Sequence, residues 1–231
     1  MHGLDAQMVT RLLTRSMPAF QVTCEDTQNL GMGYLYYGIA RLLRPREVVV
    51  IGSKAGFAPL CFALAVRDNE GTGVTAVTHS ATEPASRESG HVDFIDPSYS
   101  VDRGDPNHSY GLGMWDDPEE VDARWCEFGV DGFITHFKMT SAEYLASVAT
   151  AGGIEMLYVD GDHSYTGMRH DLVEFSHLLC PDAIVLVHDV HPGFEYSDGY
   201  EVLQDLPQGL YEAARLPIVP GLALLRRIGT T

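Results

Sequence analysis

Apolar positions recur at helical spacing near the start of the chain. Met8, Leu12 and Leu13 fall on one face, and a second apolar run from Leu30 to Leu43 follows the capping candidates Asp26 and Thr27 and stops at Pro45. The pattern predicts an N-terminal helical segment over residues 1–45, packed on the same domain as the rest. The period then changes. Val48-Val49-Val50-Ile51 is a β-branched run of the kind buried on both faces of a parallel sheet, and it stops at Gly52. Residues 55–68, rich in Ala and Leu, read as a helix whose Pro59 fits only in the first turn. Two segments compete for the second strand, Val74 to Thr78 and His91 to Asp96, with a polar stretch between them.

Residues 98–116 carry many Asp, Gly, Ser, Asn and Tyr, a long loop for a compact domain. Asp117-Pro118 opens a helix to about Phe128; Phe133 to Phe137 reads as a strand and Ser141 to Ala149 as a helix. Ile154 to Asp160, a helix over 165–179 and Ala183 to Asp189 continue the alternation. Leu210 to Val219 and Leu222 to Arg227, joined through Pro220-Gly221, read as an antiparallel pair. The whole predicts an α/β fold over residues 46–231: a Rossmann-like, doubly wound, mostly parallel seven-stranded sheet ending in an antiparallel C-terminal hairpin.

The 231 residues suit one core, since single cores grow to roughly 250 residues before chains split. Fifteen basic against 32 acidic residues give a net charge of −17, which repels phosphate backbones and anionic lipids. No nucleic acid and no membrane is expected as a partner; cations, or a positively charged cofactor, are favoured. Four scattered cysteines suggest neither a zinc site nor a disulfide framework. With no apolar run of transmembrane length, the expected location is cytoplasmic.

In doubly wound sheets ligands bind beyond the carboxyl ends of the strands. The first such turn is Gly52-Ser53-Lys54-Ala55-Gly56-Phe57. A dinucleotide turn wants glycine where Lys54 and Phe57 stand, so a nicotinamide or flavin site is disfavoured. Gly52 and Gly56 still permit the close approach of a ligand without phosphate. Asp96, at the end of its segment, suits a ribose diol, although Asp-Pro also starts turns. Asp160 and Asp189 close two segments that would be neighbouring strands. Two carboxylates at one edge need a divalent cation between them, or a proton on one of them; magnesium fits best, and His188 would add a nitrogen better suited to another divalent metal. Helix capping by Asp162 or Asp189, with the histidines bonded to loops, is the alternative.

Five segments carry a resemblance: Val50 to Phe57, Phe94 to Tyr99, Met139 to Leu145, Tyr158 to Tyr165 and His188-Asp189. They are similar to class I S-adenosylmethionine (SAM)-dependent methyltransferases, within the group of macrocin O-methyltransferases, novobiocin-type sugar methyltransferases and cephalosporin hydroxylases. The resemblance also favours His91 to Asp96 as the second strand. It implies that Gly52, Ser53 and Gly56, with Phe57 beside them, meet the methionine end of SAM, Asp96 the ribose and Ser141 the adenine. Asp160, also at the cofactor edge, would hold Mg2+ with Asp189. Val50 stands where the family has an acid, Lys54 where it has glycine, and His188 where it has a second acidic metal ligand. O-methylation of a small-molecule hydroxyl is the implied reaction, in natural product biosynthesis, with further copies of the chain expected as partners in a homo-oligomer. Asp162, His163 or His188 would take the acceptor's proton, and Tyr99, Tyr110, Trp115, Phe194 and Tyr196 would grip a ring. A metal-independent methyltransferase with a histidine base and a non-catalytic binding protein of the same fold are the alternatives.

Overall fold

The structure, a computed structural model, describes residues 3–16, 18, 20–70, 89–99, 112–147 and 153–228. The alternative strand at Val74 to Thr78, and Tyr110, lie outside them. Helices α1 (Ala6–Arg15) and α2 (Met32–Leu43) precede β1 (Glu47–Ile51), α3 (Phe57–Asn69), β2 (His91–Ile95), α4 (Pro118–Phe128) and β3 (Ile134–Phe137). Then come α5 (Ser141–Ser147), β4 (Ile154–Val159), α6 (Tyr165–Glu174), β5 (Leu179–His188), α7 (Gly199–Gln204), β6 (Tyr211–Leu216) and β7 (Leu222–Arg227).

Local chemistry sets several boundaries. Asp5 accepts the Met8 N–H at the head of α1, and Ser164 the Gly167 N–H at the head of α6; Asp117 caps α4, with Pro118 in its first turn. Neither Asp26 nor Thr27 caps α2, which starts after Gly31; residues 24–29 instead close on themselves through paired Cys24 and Asn29 backbones. Helix α6 ends at Glu174 in a short 3-10 turn, Phe175–His177, and β5 begins four residues earlier than its apolar run suggests. Strand β6 stops at Leu216, so the link to β7 is longer than a tight turn.

The sheet runs β3-β2-β1-β4-β5-β7-β6, and β7 alone opposes the other strands. Alternate residues of β1 serve opposite layers, as the two-residue period of a strand requires. Val48 and Val50 pack with Leu12, Tyr36, Phe62 and Trp125 from α1 to α4; Val49 and Ile51 pack with Tyr144, Met168 and Leu172 from α5 and α6. The strand order reverses at β1, leaving a crevice between the ends of β1 and β4.

Candidate active site

Gly52, at the end of β1, has φ +69, and a side chain there would run into the Asp160 carbonyl oxygen and Gly161 Cα. Only glycine lets the β1 and β4 ends approach so closely. Asp160 N–H donates to Ile51 O (2.9 Å) and Gly52 N–H to Ile95 O (2.8 Å), locking three strand ends together. Lys54 has a left-handed backbone, φ +47, a conformation that glycine adopts most readily. The Trp115 indole N–H donates to its carbonyl at 3.2 Å. Trp115 is therefore not a loop aromatic waiting for an acceptor: it is 2% exposed and stacks on Trp125 with centroids 5.5 Å apart. Phe57 likewise turns its ring into the core against Tyr36, so only its backbone stays at the turn. Ser53 is buried beside Gly52.

Asp96 follows β2 and accepts the Ser98 N–H at 2.8 Å. Burial pushes its carboxyl up to about 6, against the opposing pull of the Ser98 and Ser53 backbone N–H groups. His136, which the sequence did not single out, places a ring nitrogen 2.9 Å from the Asp96 carbonyl oxygen. Ser141 already has a partner, its hydroxyl donating to buried Asp171 at 2.6 Å.

Asp160 and Asp189 end the adjacent strands β4 and β5, and two imidazoles lie between their carboxylates. His163 is 3.3 Å from Asp160 Oδ1 through Nε2 and 3.4 Å from Asp189 Oδ2 through Nδ1. His188 Nδ1 is 2.7 Å from Asp189 Oδ1 and 3.4 Å from Asp160 Oδ1. Burial opposes charge on Asp160, His163 and His188, but the paired charges win. The His188 and His163 imidazoles hold Asp160 well below the usual carboxylate range, while Asp160 and Asp189 push His188 up to about 10 and His163 above its ordinary value. Asp189 has φ +60, and its N–H donates to Gly221 O (3.0 Å) while His191 N–H donates to Pro220 O (2.8 Å). The turn before β7 thus braces the end of β5. Asp162 stands apart: it is exposed and accepts the Ser164 N–H at 2.9 Å in a local turn ahead of the helix that Ser164, not Asp162, caps.

The donor atoms of Asp160, His163 and Asp189 lie within 4.8 Å of one another, and buried Asp189 Oδ1 has an ion-pair contact to His188 Nδ1 at 2.7 Å but no well-aligned hydrogen bond. This set fits a divalent cation. Of the two imidazoles it is His163 that falls within this distance set, while His188 is 2% exposed. Two oxygens and one imidazole suit manganese, iron or zinc better than magnesium. Tyr158, also unremarked in the sequence, reaches Asp160 from the core side, and Tyr36 lies behind it against the Tyr158 hydroxyl. The signal was present, since Tyr158 interrupts an apolar strand two residues before Asp160 and so shares its face.

A doubly wound sheet with a glycine bend at its reversal point and acids just after the second, fourth and fifth strands defines the class of α/β proteins whose ligand crevice lies beyond the strand ends. A family model described as a methyltransferase domain matches residues 49–190, and the chain belongs to that family, as a class I methyltransferase of the SAM-dependent type. Solved structures agree in fold. The chain is similar to the Streptomyces achromogenes O-methyltransferase TomG, involved in tomaymycin synthesis and solved with SAM (15% identity, 99% of this chain and 92% of that one, TM-score 0.63). It is similar to the SAH-bound Podospora anserina methyltransferase PaMTH1 (12%, 98% and 89%, 0.62) and to a Bacillus cereus O-methyltransferase with SAH (11%, 96% and 90%, 0.58). No curated protein sequence matches the chain. Among the described residues, no helix is long and apolar enough to cross a membrane.

Proposed function

We propose that the protein transfers the methyl group of SAM to a hydroxyl of a small molecule, with a divalent cation held by Asp160, His163 and Asp189. The observation that carries this reading is the meeting of two carboxylates from neighbouring strand ends beside the Gly52 bend. Asp96 accepts hydrogen bonds from the ribose, and the backbone of Gly52, Ser53 and Gly56 faces the methionine end. When bound, the cation lowers the pKa of an acceptor hydroxyl and fixes its position. The chain's own contribution is alignment, because in-line displacement at a sulfonium carbon needs orientation above all.

One observation favours a second reading, in which no cation takes part: the His163 and His188 imidazoles already bridge the carboxylates. His163, the more accessible of the two, then takes the acceptor's proton from its neutral form, and the imidazolium so formed is stabilised by Asp160 and Asp189. The readings part on chelation. Release of S-adenosylhomocysteine with a panel of hydroxyl acceptors is expected to stop in EDTA and return with Mn2+. Turnover that survives EDTA but fails in His163→Gln selects the second reading. No SAM binding by calorimetry, in wild type with or without Mn2+, defeats both.

A further inference from the structure

Behind the acidic cluster runs a row of buried polar groups that neither reading uses. Tyr36 and Tyr158 are wholly buried, their rings 5.1 Å apart, with Phe62 packed against both. Tyr158 Oη donates to Asp160 Oδ2 at 3.2 Å, Tyr36 Oη lies 3.2 Å from Tyr158 Oη, and the Gln21 side-chain amide lies 2.7 Å from Tyr36 Oη. Gln21 is itself 6% exposed. Packing alone would be served by phenylalanine, as Phe62 demonstrates between the same helices and sheet, whereas a buried hydroxyl costs free energy unless it is partnered.

Proton counting orders the row. Each phenol has one proton, and an ionised carboxylate can only accept. With the Tyr158 proton given to Asp160, the contact between the two hydroxyls is a hydrogen bond only if Tyr36 donates into it. Tyr36 then has an oxygen to be satisfied and no proton left for Gln21. Turning the Gln21 amide over, a rotation that leaves its shape unchanged, offers an N–H in place of the oxygen. Gln21, Tyr36 and Tyr158 then all donate in one direction, ending on Asp160 Oδ2. Running the protons the other way takes the donor from that oxygen.

We propose that Gln21, Tyr36 and Tyr158 are positioning residues, a one-way row of donors that fixes Oδ2 of Asp160 and presents Oδ1 to the reactive side. The N-terminal segment is thereby part of the active centre. This rests on the reading of Asp160 and Asp189 as the reactive pair, with or without a cation.

Tyr158→Phe and Tyr36→Phe keep the rings and remove the hydroxyls, and both are made in the full chain. A crystal structure of Tyr158→Phe is expected to show the Asp160 carboxylate rotated from its wild-type orientation. Mn2+ affinity, by calorimetry, is expected to fall about tenfold in Tyr158→Phe and less in Tyr36→Phe, the size usual for losing a partner of a metal ligand. SAM affinity and melting temperature stay near wild type, and Gln21→Leu follows Tyr36→Phe. An unmoved carboxylate with unchanged Mn2+ affinity in both phenylalanine variants overturns the row, as does an affinity loss that merely tracks a fall in melting temperature. If wild type binds SAM but no Mn2+, the cation reading fails, and the carboxylate orientation in Tyr158→Phe decides the row by itself.

Discussion

Asp96 is an acid whose surroundings hold it back from ionising: burial lifts it to about 6. A ribose diol donates hydrogen bonds and so favours the ionised form. Below that pKa the free protein must lose a proton before it binds, and SAM affinity is expected to be roughly tenfold weaker at about pH 5 than at about pH 7. Calorimetry across that range checks it, with Asp96→Asn expected to flatten the profile. A flat wild-type profile removes the ribose role. His188 works with the opposite charge. Its folded pKa, pushed up to about 10 by Asp160 and Asp189 despite burial, means that its contribution to stability is complete below the ordinary imidazole value and is lost as pH rises through about 10. Melting temperature is expected to decline from about pH 7 to about pH 10, and His188→Gln to lose most of that slope.

At the scale of elements, the helix α4 and the Trp115 segment before it hold the glycine turn from the outside. Trp115→Ala is expected to cost about 3–5 kcal/mol in denaturant unfolding, because it leaves a cavity beside Trp125 and Phe94. It also frees the Lys54 carbonyl, so SAM affinity should fall with it. That role was not legible in the sequence. Trp115 sits in a polar stretch, and what a tryptophan touches across the fold is a tertiary fact that composition does not encode. The strands were legible because runs such as Val48 to Ile51 have no solvated face, and Asp160 and Asp189 because each closes such a run. Their meeting followed once β4 and β5 were neighbours. The place of His163 did not follow, since it depends on how the chain bends after Gly161. The start of α2 was misjudged because Asp26 and Thr27 look like caps until the Cys24–Asn29 turn claims them.

The whole chain has a net charge of −17. Val9 and Leu12 of α1 and Tyr36 of α2 share a buried cluster with Val48 and Phe62, so the N-terminal helices complete a sheet face rather than decorate it. The far end of the chain reaches the centre too. The sheet's one reversed strand, β7, enters from a turn whose carbonyls receive the N–H groups of Asp189 and His191. Gly221 of that turn, at φ +106, has no room for a methyl group against Val190 and His191. Gly221→Ala is therefore expected to lower methyl transfer at least about tenfold, read as SAH release, even though this glycine is not among the groups assigned to cofactor, cation or acceptor. Wild-type turnover in that variant would show the brace to be slack. If it is taut, the hairpin is a remote tuning peg, and changes at residues 217–221 alter how fast the enzyme runs without altering what it recognises.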